Sequence, residues 1–151
     1  MSFFGDLMGG RAAQQAANYN AALMERDAQI KEQEAKAGYA VYTKFDLPRF
    51  NDNADKLRSQ IVTDYATSGV TYSGSVLETL MENELNLEID RDMMKYNAEV
   101  ARDQKYNEAI NQRAEANIER YRGKVARKVS YYQAGQSLLT TATSLKTLGA
   151  F

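Results

Sequence analysis

A shortage of helix-breaking residues limits the folds open to this chain, which contains one Pro and nine Gly in 151 residues. Because Pro and Gly most often end helices and form turns, long uninterrupted helices are expected and an all-β fold is excluded. Hydrophobic residues make up 44% of the chain, but many are Ala and Tyr, and the mean hydropathy is −0.57. The apolar surface is therefore a thin stripe, and the length allows one modest core.

The chain contains neither Cys nor His. Disulfides, thiolate metal sites, the Ser-His-Asp apparatus and His-ligated zinc are therefore excluded. Carboxylate, Lys and Tyr chemistry remains, but the sequence offers no apolar pocket that would raise the pKa of a carboxyl group. The acidic pattern at Glu88, Asp90 and Asp92 lacks the spacing of a calcium loop and is typical of a solvated helix face. We expect a protein without catalytic, metal or cofactor sites.

The net charge and the hydropathy of the chain indicate where the protein is expected to reside. The net charge is −1, so no bulk attraction to nucleic acid or to an anionic membrane follows. No run approaches 18 consecutive apolar residues, so no conventional spanning helix is expected. Residues 1–10 lack the basic start and long apolar region of a signal peptide. On these features alone, retention in the cytoplasm is the default expectation.

Turn-forming residues divide the chain into segments. Asp46-Leu47-Pro48 is expected to break a first helix, and Ser75 followed by Glu78 fits a capping box that starts a long helix. The predicted segments are an apolar N-terminal leader (1–10), a first helix (11–47), a short helix with a Gly/Ser loop (48–74), a long charged helix (75–132) and a C-terminal tail uncharged but for Lys146 (133–151).

Apolar residues recur every three or four positions in both long helices. In the first helix they are Ala12, Ala16, Tyr19, Leu23, Ile30, Ala37 and Val41. In the long charged helix, the residues predicted to pack against another helix or subunit are Leu85, Ile89, Met93, Tyr96, Val100, Ile110, Tyr121 and Val125. Intervals of eleven, as between Ile110, Tyr121 and Tyr132, favour a straight or slightly right-handed bundle over a left-handed heptad pairing. We expect an all-α protein of two or three long helices in an extended hairpin or open bundle, stable chiefly as an oligomer.

Charges on the long helix are segregated. Residues 78–92 hold six acidic residues against one Arg, a net charge of −5, and residues 113–128 hold six basic residues against two acidic ones, a net charge of +4. The clusters lie too far apart for helix-terminal dipoles to explain both, and antiparallel or staggered pairing between subunits would match them. The basic cluster also alternates with Tyr, a pattern that can contact phosphates and stack on bases. The candidate phosphate contacts are Arg120, Arg122, Lys124, Arg127 and Lys128; the alternative is that these side chains solvate the outer face of a packed helix.

Both ends of the chain are poor in charge. The apolar side chains of the leader fall on one side of a short helix, which suits insertion into another subunit or into a membrane interface. The tail is rich in Ser, Thr, Gly and Leu, which is typical of helices that pack together in lipid. The candidate contacts with lipid or with another subunit are Phe3, Phe4, Leu7, Met8, Leu138, Leu139, Leu145 and Leu148.

Three motifs occur in order along the chain: YATSGVTYSGSVLETL at residues 65–80, GKVA at 123–126 and YQAGQSLLT at 132–140. Over roughly residues 55–145 this order resembles the small internal virion proteins of short-tailed bacteriophages. The family usually carries Pro where Val76 stands, and Pro at the first helical position is favoured but dispensable.

The resemblance implies a non-enzymatic component of a DNA-ejection apparatus. Such a protein is packed inside the capsid near the portal and released at infection to help form a conduit across the host outer envelope. Its implied partners are copies of itself, larger internal virion proteins, portal and tail proteins, and the host membrane. Two alternatives remain: a permanent portal or tail adaptor or plug that is not ejected, and a helical nucleic-acid-binding protein.

Overall fold

The computed structural model describes residues 3–69 and 74–148, and it contains four helical elements in these ranges. They are α1 (Phe3–Val41), a π-helical segment (Tyr42–Asp46), α2 (Leu47–Ser68) and α3 (Ser75–Leu148). The described residues contain no strand, which confirms the all-α prediction. The chain divides into two compact units, which we call unit 1 (Met1–Lys31 with Asn107–Phe151) and unit 2 (Glu32–Tyr106).

In unit 1, α1 and α3 pack side by side in opposite directions. Arg127 Nη1 donates a hydrogen bond to Gln14 Oε1 at 2.9 Å, and Arg120 Nη1 lies 2.6 Å from Glu25 Oε1. Farther along, Lys31 Nζ lies 3.4 Å from a carboxylate oxygen of Glu108. Residue numbers rise along α1 as they fall along α3, so the two helices are antiparallel.

The helix-helix contact in unit 1 is made by small residues. Its buried positions are Gly10, Ala17, Ala21 and Ala28 on α1 and Ala109, Ala116, Gly123, Ser130 and Ala134 on α3. Most recur at intervals of seven, which is the spacing of a heptad pairing. The expectation that a heptad pairing is not favoured is therefore wrong for this contact. The backbones approach so closely that a Cβ atom built on Gly123 would lie 2.6 Å from Ala17 Cβ.

The large apolar residues of α3 in unit 1 face away from α1. Ile110, Tyr121 and Tyr132 are 58%, 69% and 77% exposed. At about 100° per residue they fall on the side of α3 opposite Gly123. The eleven-residue interval seen in the sequence therefore belongs to an outer surface, and the smaller side chains form the intramolecular contact.

Unit 2 is also an antiparallel helical pair. Lys105 Nζ lies 3.3 Å from Glu34 Oε2, and the Arg102 guanidinium lies 4.8 Å from the centre of the Tyr39 ring. Buried positions on the side facing α3 are Ala35, Tyr42 and Ala54. On α2, Arg58 makes a double hydrogen bond to the Glu84 carboxylate, with one N–O distance of 2.6 Å.

The predicted helix break at Asp46-Leu47-Pro48 does not occur. Instead, Leu47 N–H donates to the carbonyl oxygen of Tyr42, five residues earlier, and the helix continues through a π-helical turn. Pro48 has no N–H to donate, and in a regular α-helix its ring would clash with the carbonyl of Lys44. The wider π turn inserts one extra residue and accommodates Pro48.

The extra residue also keeps α2 in phase with α1. Tyr42 and Ala54 are both buried although they lie twelve residues apart. Eleven residues make about three turns of an α-helix, so a twelve-residue interval in a regular α-helix would rotate Ala54 by about 120° from Tyr42. The π turn absorbs that rotation.

At the Gly/Ser loop, Gly69 and Gly74 both adopt φ of 69°, in the left-handed region that favours glycine, and Gly69 caps α2. Residues 70–73 lie outside the described part. The start of α3 at Ser75 confirms the predicted helix start, while the Ser75 side chain of the predicted capping box lies outside the described residues. Helix α3 continues through Gly123 into the predicted tail.

Candidate interaction surfaces

The outer face of α3 in unit 1 forms an apolar surface edged by basic side chains, which we call the basic patch. Its apolar members are exposed: Ile110, Ile118, Tyr121, Val125 and Tyr132. Beside them lies an open groove of about 450 Å³ whose lining includes Tyr121, Lys124, Val125, Lys128 and Tyr132. Exposed patches of this composition on a soluble protein mark sites of interaction with another molecule.

Three of the five candidate phosphate contacts are bound to neighbouring side chains. Arg120 pairs with Glu25 on α1, and Arg122 pairs with Glu119 one turn earlier at 2.6 Å. Arg127 bonds Gln14 and also donates to Tyr131 Oη at 3.0 Å. The sequence alone does not reveal the partners of Arg120 and Arg127, because Glu25 and Gln14 come from the other helix.

The remaining two candidates have a different environment. Lys124 and Lys128 are exposed, line the groove of the basic patch, and make no ion pair with any residue in the described ranges. Together with Tyr121 and Tyr132 they form a basic and aromatic edge. Fewer positively charged side chains without an ion pair are therefore available to a partner on this face than the sequence predicts.

The Glu25–Arg120 pair gives unit 1 a measurable pH dependence. The hydrogen bond from Arg120 holds the pKa of the Glu25 carboxyl below its ordinary value of 4.5. A carboxyl whose pKa is lower in the folded state stabilises the fold above its unfolded pKa and loses that contribution as the pH falls through the folded pKa. We expect an NMR titration to place the pKa of Glu25 below its ordinary value, and we expect Arg120→Gln to raise that pKa toward the ordinary value. A Glu25 midpoint unchanged by Arg120→Gln would contradict the pairing.

The outer face of α3 in unit 2 carries the other apolar surface, which we call the acidic patch. Leu85, Ile89, Met93 and Tyr96 are all exposed, and Val100 is half-buried. The acidic side chains along this stretch are also exposed: Glu78, Glu82, Glu88, Asp90 and Asp92. Glu84 differs, because its hydrogen bonds from Arg58 hold its pKa below the ordinary value and tie it to α2.

Two further surfaces accompany these patches. In unit 1, Tyr19, Leu23 and Ile30 of α1 are exposed on the side away from α3, so both helices of this unit have apolar outer faces. In unit 2, an open groove of about 1190 Å³ runs between α2 and α3, and it is continuous with the acidic patch, because its lining includes Glu82, Leu85 and Glu88 as well as Phe50 and Val62.

The apolar ends are partly exposed. Phe4 and Met8 are exposed, Phe3 and Leu7 are half-buried, and the Phe3 and Phe4 rings meet edge to face with centroids 5.4 Å apart. At the other end, the exposed members are Leu138 and Leu139. The side chains of Leu145 and Leu148 lie outside the described residues. Of the helices in residues 3–69 and 74–148, none is long and apolar enough to cross a bilayer.

Seven of the eight residues predicted to pack against another helix or subunit are exposed in the single chain, and the eighth, Val100, is half-buried. Large side chains at helical spacing predict a packing face, but small residues form the contact within the chain. The inner contact has its own signal in Ala21, Ala28 and Ala35, and in Ala109, Ala116, Gly123 and Ser130, each seven residues from the next.

The two grooves in the described part of the chain are open surfaces rather than enclosed cavities. Within the described part of the chain, no group of three or more acidic side chains is placed to hold a metal ion. The grooves are open and lined by apolar and charged side chains on long helices. Comparisons with protein-family models, with curated proteins and with solved structures find no match to this chain.

Proposed function

We propose that this protein is a structural subunit of a helical assembly. The observation that carries the proposal is the outward orientation of the large apolar residues on both helices of unit 1. Ala and Gly in the inner contact bury little area, whereas Ile110, Tyr121 and Tyr19 remain in water in the isolated chain. A partner that covers these faces would supply the hydrophobic stabilisation that the single chain lacks.

We further propose that the assembly is a bacteriophage DNA-ejection apparatus. The support is the resemblance of the motifs at 65–80, 123–126 and 132–140 to small internal virion proteins. In this role the protein is packed near the portal with larger internal virion proteins and is released to help form a conduit across the host envelope. The exposed Phe4, Met8 and Leu139 support contact of its ends with lipid or with portal proteins.

Quantitative mass spectrometry of purified particles before and after triggered DNA release tests the ejection role. We expect several copies of this chain per portal in full particles and their loss from emptied ones. Internal standards from the major capsid protein control for particle recovery. Full retention in emptied particles would replace the ejection role with that of a fixed portal or tail adaptor, and absence from full particles would reject a virion role.

A nucleic-acid-binding role has less support. Arg120, Arg122 and Arg127 are engaged by neighbouring side chains, which leaves Lys124 and Lys128 as the members of the candidate set that make no ion pair with any residue in the described ranges. Since the affinity for a nucleic acid rises with the number of phosphates neutralised, two lysines beside an apolar stripe favour non-specific contact at most.

A further inference from the structure

We propose that the outer face of α3 binds the outer face of α3 in a second copy of this chain, with the two helices antiparallel. In this arrangement the acidic patch of one copy covers the basic patch of the other. This pairing rests on the structural-subunit function proposed above; it identifies a second copy as the partner and gives the register of the two α3 helices. Each patch lies wholly within one unit: the acidic patch in unit 2 and the basic patch in unit 1.

Charge complementarity selects the antiparallel direction. In the stretch 78–92, Glu84 is paired with Arg58 of α2, and the acidic side chains that remain exposed include Glu78 and Glu82. In the stretch 113–128, the exposed Lys124 and Lys128 make no ion pair with any residue in the described ranges. A parallel, in-register pair would place acid against acid and base against base, which is repulsive. An antiparallel pair brings Glu78 and Glu82 of one copy alongside Lys124 and Lys128 of the other, with unlike charges at the rim of an apolar contact.

The apolar residues fix the register of the pair. When Ile89 is placed opposite Ile118 of the second copy, the helical spacing also brings Leu85 opposite Tyr121 and Tyr96 opposite Ile110. All six residues are exposed in the single chain. Large side chains of the acidic patch in one copy therefore meet large side chains of the basic patch in the other.

The outer face of α1 fits this role less well. Residues 11–41 contain four basic and four acidic residues, mixed along the helix, so no charge pattern selects a direction or a register. Only α3 combines an outer apolar stripe with separated blocks of opposite charge. A contact through α1 is a competing outcome of the experiment below.

Cysteine cross-linking tests the register cleanly because the chain has no Cys of its own. We would prepare Ile89→Cys and Ile118→Cys as separate full-length variants and oxidise each alone and as a mixture. The expected result is a disulfide-linked dimer in the mixture at least tenfold more abundant than with either variant alone. Ile89→Cys mixed with Val129→Cys is the matched control, because Val129 is also exposed on the outer side of α3 but is displaced by three turns.

The other outcomes overturn the proposal in distinguishable ways. Efficient cross-linking of Ile89→Cys alone would show parallel pairing of α3. Self-association without any of these cross-links would move the contact to α1, and would leave the structural-subunit function intact. A chain that stays monomeric in sedimentation equilibrium at all concentrations would reject pairing between copies, while particle mass spectrometry judges the virion role separately.

A charge exchange gives a second measurement that does not depend on the cysteines. Glu78→Lys with Glu82→Lys is expected to weaken dimerisation by about tenfold, since it places like charges at the rim. Adding Lys124→Glu and Lys128→Glu to the same chain should restore the affinity. If the variant with all four substitutions dimerises no more tightly than the variant with two, the charged blocks do not face each other.

Discussion

Gly123→Leu is expected to lower the free energy of unfolding by about 2–3 kcal/mol, which is typical of overpacking a tight contact. A Cβ atom at this position would lie 2.6 Å from Ala17 Cβ and 3.3 Å from Gln14 Cα, so α1 would have to move. Leucine is a better helix former than glycine, so any loss of stability reports on packing between helices and not on helix propensity. Urea unfolding followed by circular dichroism measures the change.

The smaller change from Gly to Ala, made at Gly123 and at another glycine of α3, provides a matched control. Nothing lies within 4 Å of a Cβ atom built on Gly135, so Gly135→Ala should raise the free energy of unfolding by about 0.5–1 kcal/mol through helix propensity. Gly123→Ala should lower it, and adding Ala17→Gly should recover most of the loss because it removes the opposing Cβ. Equal effects of Gly123→Ala and Gly135→Ala would show that α1 and α3 do not approach closely at Gly123.

These glycines illustrate why the inner contact was harder to predict than the fold class. The all-α architecture follows from one Pro, few Gly and helical spacing, and the structure confirms it. The usual assumption that the largest apolar side chains form the contact within a chain fails here. Ile110 and Tyr121 are exposed, while Ala116 and Gly123 are buried. The face of α3 that packs within the chain depends on the side chains of the neighbouring helix, and the buried face of α1 carries a row of Ala.

Long-range pairings were also beyond sequence reasoning. Arg120 and Arg127 were grouped with Lys124 and Lys128 because all lie in one basic stretch. Their partners, Glu25 and Gln14, are separated from them by 95 and 113 positions along the chain. The antiparallel packing that joins them depends on the seven-residue spacing of small residues in both helices, which is a weaker signal than the recurrence of large apolar residues.

Pro48 alone predicts the end of a helix, whereas the structure has a π-helical turn before it and the helix continues. A proline stops a regular α-helix, but one extra residue in the preceding turn removes the clash and keeps the next buried position in phase. Sequence spacing contains a hint of this. Tyr42 and Ala54 fit one face only if the helix between them holds one residue more than three regular turns.

Deleting Phe45 is therefore expected to destabilise unit 2 by about 3 kcal/mol, although its side chain is 67% exposed and little packing is lost with it. Removing one residue converts the π turn to a regular turn and forces Pro48 into the interior of an α-helix. Adding Pro48→Ala to the deletion should restore the stability, because Tyr42 and Ala54 are then eleven residues apart and remain on one face. Amide hydrogen exchange across α2 measures both effects.

Insertion of one Ala after Phe45 is the matched comparison. It rotates α2 by about 100° and turns Ala54 and Arg58 away from α3, so Pro48→Ala should not rescue it. Loss of the Arg58–Glu84 hydrogen bonds would return the pKa of Glu84 toward its ordinary value, a second readout that the deletion with Pro48→Ala should leave unchanged. If the deletion alone were as stable as the parent chain, the π turn would have no role in accommodating Pro48, and the continuity of α1 with α2 would need another cause.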